Sequence, residues 1–206
     1  MRTFQSLRTA VPGLPSMLVV IVAAVAVHGV SRAGPGLPDG WTRAGSTPAD
    51  FDMGTDHSVA HAGKSSGYLR SKVAKPAGFG TLMQMCKAEE FQGKRVRLSA
   101  WIKAENVRSW AGLWMRVDGN EPNHMLAFDN MQSRPIKGTS DWRQYAIVLD
   151  VAPEAKDIAF GILLNGPGAV WLDEVSFEVV DRSVPTTGTG PGADLAAKPV
   201  NLDFEE

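Results

Sequence analysis

The sequence predicts an all-β fold of the β-sandwich or jelly-roll type. Three observations carry this. Residues 93–119, GKRVRLSAWIKAENVRSWAGLWMRVDG, alternate between apolar and polar positions. About eight such segments recur at regular spacing, divided by turns rich in Gly, Pro, Asn and Asp. No sustained 3.6-residue apolar period interrupts them beyond the N-terminal region.

The 93–119 stretch reads as two adjacent strands. In the first, Val96, Leu98, Ala100 and Ile102 share one face, opposite Arg97, Ser99, Trp101 and Lys103. In the second, Ala111, Leu113, Met115 and Val117 alternate with Gly112, Trp114, Arg116 and Asp118. A period of two sends each apolar set to a core and leaves two Trp and several charges on the other side.

The chain begins with what reads as a targeting segment, residues 1–33. Arg2 and Arg8 give it a basic start, 17–27 is an uninterrupted apolar run, and Ser31-Arg32-Ala33 offers small residues for a signal peptidase. Eleven apolar residues fall short of the about 20 that span a bilayer. An exported protein, periplasmic or secreted, is expected; the alternative is an inner-membrane protein anchored by an uncleaved segment.

Residues 34–182 form the predicted sandwich. GPGLPDG at 34–40 is a loop, and HSVAHAGKSSGYL at 57–69 reads as strand, turn, strand. Further strands are expected at 79–86, 124–132, 145–151, 158–164 and 171–179, the last with Trp171, Asp173, Val175, Phe177 and Val179 on one face. Residues 183–199 have the Thr, Gly, Pro and Ala composition of a linker. Residues 200–206, VNLDFEE, are strand-like again.

Composition excludes some classes. A formal net charge of -1 over 206 residues argues against nucleic acid as a partner, because phosphate binding needs a basic surplus. The single cysteine, Cys86, rules out an intrachain disulfide and a Cys-based zinc site. Its apolar neighbours suggest a buried small side chain.

The run from Trp41 through GKSSGYL, FQGKRVRLSAWIKA and the Asp141-Trp142 turn to VWLDEVSFEVV resembles carbohydrate-binding-module-like jelly rolls of the galactose-binding superfold. AGLWMRVDG, DNMQSRPIKGTSDW and VLDV resemble bacterial modules of uncharacterised role, some found beside peptidase or esterase domains. The resemblance covers about 38–181 and implies a jelly-roll β-sandwich of two antiparallel sheets whose concave face often carries a sugar site. It also implies a structural calcium in some relatives, with Asp173 at the matching last-strand position. The opening strand of such modules, reading like Asn-Leu-Asp-Phe-Glu, is absent before the Trp41 loop, and its Glu ligand with it, which puts calcium in doubt. The same residues appear at 201–205. The tail is then expected either to supply that strand, in its own chain or in a neighbour, or to be the start of a lost second module.

Two local motifs mislead. Gly63-Lys64-Ser65-Ser66-Gly67 fits G-x-S-x-G, but a strand follows where a nucleophile elbow needs a helix. It also lacks the Gly at position 58 that a phosphate loop requires. His57 and His61 are four apart, about 13 Å along a strand, and read as surface residues beside a turn. No catalytic role is expected.

The candidate ligand site is the outer face of the 93–119 strands. Trp101 and Trp114 could stack on a sugar ring while Arg97, Arg116 and Gln84 bond hydroxyls or carboxylates, with Asp129, Asn130 and Gln132 alongside. The competing reading makes these Trp a second layer of core, with the arginines paired to Asp118 or Asp129. Trp41, Trp142 and Trp171 read as loop plug, turn anchor and core. The function expected is thus an exported, non-catalytic binding module for carbohydrate or an envelope glycan. The alternative is a protein-interaction or self-association module, possibly a homodimer using the tail as a donated strand.

Overall fold

The computed structural model describes residues 36–188 and 190. The targeting segment and the strand-like tail lie outside these residues. Nine strands are described: β1 (Thr42–Gly45), β2 (Phe51–Asp56), β3 (Ser66–Ser71), β4 (Phe79–Lys87), β5 (Arg95–Asp118), β6 (Met125–Asp129), β7 (Ile136–Asp150), β8 (Asp157–Asn165) and β9 (Ala169–Val180). Two 3-10 turns, Pro48–Asp50 and Glu89–Phe91, complete the regular structure among the described residues. Every pairing between these strands is antiparallel. The expected all-β sandwich is what the chain forms.

The layers are joined by β5. Its first half, 95–105, lies between β9 and β7, and its second half, 110–118, between β8 and β6. One layer therefore runs β2-β3-β9-β5-β7 and the other β1-β4-β8-β5-β6. The two strands expected at 93–119 are one strand of 24 residues. No Gly or Pro stands at 103–109 to turn the chain. The strand bends instead, with register slips against β7 between Ala104 and Val107 and again before Ala111, and with Asn106 at φ 52°. Bulges of this kind turn a strand through a corner.

The bend changes which residues point inward. Val96, Leu98, Ala100, Ile102 and Ala104 are fully buried along the first half; Val107, Ala111, Leu113, Met115 and Val117 are buried along the second. The inward set passes from even to odd numbers, so each half faces the same core. Leu69, Leu82, Ile147, Ile158, Ile162 and Leu172 fill the space between the layers. Gly161 of β8 lies so close to the Leu82 carbonyl that an added Cβ would sit 2.2 Å from it. Only glycine permits that approach.

Two local expectations are corrected. Residues 57–65 form an irregular loop, and the strand preceding it is β2. Asp56 ends β2 by accepting Ser58 N–H at 2.8 Å, Ser58 Oγ–H at 2.7 Å and Val59 N–H at 3.2 Å, an Asx turn that outcompetes the ladder. In β9, Glu174 at φ 48° inserts a bulge, which alternation alone does not register. Val170 and Leu172 point into the core before it, Val175 and Phe177 after it, and Trp171 faces outward. Trp171 is not core: its Nε1 donates to Asp56 Oδ2 at 2.9 Å.

The start of the expected linker is held down. Thr187 N–H donates to the Val148 carbonyl at 2.9 Å, and the Arg95 guanidinium donates to the Arg182 and Val184 carbonyls while gripping both oxygens of Asp150. Arg95 is buried and charged, and it is tolerated because the carboxylate and these carbonyls replace its water.

Because β5 carries both layers, they should unfold together. Leu98→Ala and Leu113→Ala, one in each half, should each cost about 2–5 kcal/mol in urea denaturation with a single transition. Separate transitions in either variant would show that the layers are independent.

Candidate functional site

The residues expected to form one ligand face are dispersed. Arg97 and Trp101 lie on the outer side of the β9–β5–β7 layer, Trp114 and Arg116 on the outer side of the β4–β8–β5 layer, across the sandwich. Trp114 is 5% exposed, packed with Phe79, Ala159 and Leu163 and rimmed by Met83, Trp110 and Phe128; its Nε1 donates to Thr81 Oγ1 at 2.8 Å. Arg116 is paired with Asp118 at 2.9 Å. This half follows the competing reading, a second apolar layer with a paired arginine. Arg97 is paired with Glu178 at 2.8 Å.

Gln84 points to neither face; it lines a cleft beside Trp41 and Phe160. Asp129 accepts the Met131 N–H and holds Arg134 through both oxygens, while Asn130 Oδ1 accepts the Gln132 N–H. Asp129, Asn130 and Gln132 thus build the turn that drives Met131, at φ 60°, into the core.

Around Trp101 the structure assembles a different group. The loop 57–65 crosses the outer face and lays the His61 ring on Trp101, with centroids 3.9 Å apart and planes 13° apart. Trp142 meets the same imidazole edge-on at 5.7 Å. His61 Nδ1 lies 2.5 Å from Glu174 Oε2. Asp173 anchors the loop, its Oδ2 accepting the N–H groups of His61 at 2.8 Å and Ala62 at 3.1 Å. Its other oxygen accepts the Glu174 N–H at 2.8 Å. At the base of the loop, Ser66 Oγ–H donates to the Val59 carbonyl at 2.6 Å. On the rim, Lys103 holds Asp141 at 2.9 Å, and this ammonium and the Trp142 N–H keep the Asp141 carboxyl below its ordinary range.

The implied calcium finds no match in this geometry. Both Asp173 oxygens are occupied by backbone N–H groups, and among the described residues no three His, Cys, Asp or Glu side chains converge on one point. The Glu that the resemblance pairs with it falls at Glu205, outside the described residues. Cys86 is half-buried, and burial pushes its thiol above the ordinary range, away from nucleophilic chemistry.

A ring stacked on one indole, edged by a second and held by a carboxylate is the geometry with which proteins grip flat, donor-bearing rings. Here the chain's own histidine occupies it. Trp101 was legible as an exposed aromatic of β5. His61 and Glu174 were not, because the loop path and the β9 bulge bring together residues 113 positions apart.

No protein-family model matches the chain. A curated relative from Bacillus subtilis, named the uncharacterized HTH-type transcriptional regulator YbfP, is 51% identical over 168 residues, 81% of this chain. The chain spans 57% of that relative's length. Among solved structures, the enzymatically active domain of bacteriophage CBA120 tailspike protein 4 superposes with a TM-score of 0.54 at 16% identity, over 69% of this chain and 20% of that one. A xylan-binding module of Paenibacillus barcinonensis gives a TM-score of 0.48 at 16% identity, over 71% and 89% of the two chains. At such identities the likeness is one of fold.

The relative overturns the expectation of an exported module for glycan or protein binding. A match of 168 residues takes in most of the described β-structure, and its counterpart belongs to a protein named as a transcriptional regulator.

Two measurements test the loop. His61→Ala should raise acrylamide quenching of Trp101 and cost about 1–2 kcal/mol of stability, from the lost stack and hydrogen bond; unchanged quenching would mean that the ring does not cover the indole. The Asp56 carboxyl, held at about 2 by bonds from Ser58 and Trp171, is depressed in the folded state. Its contribution is therefore present above about pH 4, the ordinary carboxylate value, and is lost as pH falls through about 2. The Tm gap between wild type and Asp56→Asn should close over that range; a gap constant from pH 5 to 2 would contradict the assignment.

Proposed function

We propose that the chain supplies the non-catalytic regulatory sandwich of a transcription regulator, the part that receives a signal rather than the part that grips DNA. One observation carries this: 51% identity to a named HTH-type regulator over a segment that must lie largely in β-structure. A helix-turn-helix needs two helices, and the described residues hold none. Their matched part therefore corresponds to the portion of the regulator outside its DNA-reading helices. The near-neutral charge is consistent with that division.

The signal site in this reading is the Trp101–Trp142–Glu174 cluster. With the His61 ring turned away, the two indoles offer flat apolar area and the Glu174 carboxylate accepts a donor, which suits a small ring-bearing effector. Displacing the His61 ring would remove its stack and its Glu174 contact while Asp173 keeps the loop backbone, and a side chain whose position depends on occupancy can report binding to an attached DNA-reading domain. The ligand-free state keeps the site filled by the chain's own ring, so an effector must outcompete that stack.

A chimera provides the test. Replacing the matched segment of the relative with this chain should preserve binding of the relative's DNA in mobility-shift assays to within a few fold, while this chain alone gives no shift at physiological salt. A folded chimera that has lost DNA binding, or a specific shift by the chain alone, would sink the proposal.

A further inference from the structure

Between the two layers, beside β9, opens a cleft of about 430 Å³, within the roughly 300–1,000 Å³ of small-molecule sites. Its walls are mainly apolar, with Trp41, Leu82 and Phe160 on one side and Leu172, Val175 and Phe177 on the other. Trp41 meets Phe160 edge-on at 5.9 Å, and Phe160 meets Phe177 edge-on at 4.8 Å, so three rings form a packed corner. Two polar side chains interrupt these walls. Gln84 stands between Leu82 and Cys86 in the inward row of β4, and Thr55 follows Phe51 and Met53 in the inward row of β2. Both line the cleft, one from each layer. Gly40 makes room for the Gln84 amide, since a Cβ there would lie 2.4 Å from its Nε2. Neither the Gln84 amide nor the Thr55 hydroxyl has a hydrogen-bond partner among the described residues. A polar group turned inward between apolar walls burdens folding unless something bonds it.

The same walls offer an ion nothing. Asp173 and Glu174 border the cleft, but Asp173 gives both carboxylate oxygens to backbone N–H groups and Glu174 turns its carboxylate to His61. No Lys, Arg or His side chain lines it among the described residues. A charge entering here would lose water and gain no counter-charge. A sugar would leave most of its hydroxyls unbonded against these walls. We propose that this cleft is a second binding site, for an uncharged small molecule that joins an apolar ring to an amide or lactam. The ring packs into the Trp41–Phe160–Phe177 corner. Its amide pairs with the Gln84 amide, each N–H donating to the other's carbonyl oxygen, and the Thr55 hydroxyl donates to the remaining lone pair. The site lies on the inner side of β9, away from the Trp101 cluster, so the inference stands whether or not the regulatory reading holds.

Three probes with one ring in common decide it: benzamide, benzoate and toluene, each titrated into the full chain and followed by nitrogen–proton NMR. Benzamide should give saturable shifts at the Gln84 side-chain amide and the Trp41 indole N–H, and none at Trp101. It should bind about 10-fold more tightly than toluene, and benzoate more weakly than either. Gln84→Leu, close in volume and better matched to its row, should keep the Tm at or above that of wild type. It should weaken benzamide about 10-fold and leave toluene within about 2-fold. Should Gln84→Leu fail to fold, Gln84→Met is read by the same criterion. Absence of saturable shifts at Gln84 and Trp41 overturns the proposal. So does benzoate binding as tightly as benzamide, or a folded Gln84 variant that binds benzamide as wild type does. Shifts confined to Trp101 and Trp142 also overturn it, because they would place the probe on the outer face.

Discussion

The continuity of β5 is the constraint on which the rest of the structure depends. A single strand of 24 residues is hydrogen-bonded to β9 and β7 along its first half and to β8 and β6 along its second. Two layers sharing one strand cannot slide past each other, so their inward side chains must interlock at the bend. The bulges around Asn106 meet that requirement by shifting the inward set from Ala104 to Val107. The same shift separates the two indoles. It sends Trp101 to one outer surface and Trp114 to the other, so no ligand can touch both. A strand of this length without the bulges would leave half its apolar row in water.

The second organising element is the set of carboxylates around the 57–65 loop. Asp56 ends the strand before it, Asp173 grips two of its backbone N–H groups, and Glu174 meets its histidine. Acidic residues gathered this closely invite a metal-binding interpretation. The hydrogen bonds here point to another role: they satisfy peptide donors that an irregular loop leaves without a ladder. Charge-assisted bonds of this kind hold the loop firmly, yet the Glu174 contact involves only side chains and is open to competition. The loop is thus fixed through its backbone, at 58–59 and at 61–62, and only the His61 side chain is open to exchange.

What could be read from the sequence follows from the range of the interactions involved. Strand identity for β4, β8, β9 and the end of β7 was legible because a period of two is a local property, visible in Ile158 to Leu164 without knowing the partner. The continuity of β5 was not, because Asn106 and Ser109 are residue types that turns also use, and nothing local says that the strand only bends there. A bulge defeated the alternation argument at Glu174, a residue type that rarely takes positive φ, whereas on either side of Asn106 the inward sets were counted correctly. The candidate site divided the same way. Trp101 could be placed on an outer face by counting, whereas the ring that covers it comes from a loop whose path depends on Asp173. Trp171 was misplaced for a related reason, since its indole N–H seeks Asp56 across the sheet.

The bulge at Glu174 joins these themes. Before it, β9 is an interior strand, flanked by β3 and β5; after it, no strand among the described residues covers that edge. The bulge turns Glu174 outward to His61 and, by changing the alternation, turns Val175 and Phe177 inward to the cleft. One backbone irregularity therefore governs both the clamp on the outer face and the groove on the inner side. A residue at φ 48° without glycine's freedom is held there only while its surroundings insist. Those surroundings are the Asp173 carboxylate on its N–H and the His61 ring on its side chain. Removing the ring relaxes one of the two restraints on the bulge. The outer cluster and the inner cleft thus share one backbone irregularity.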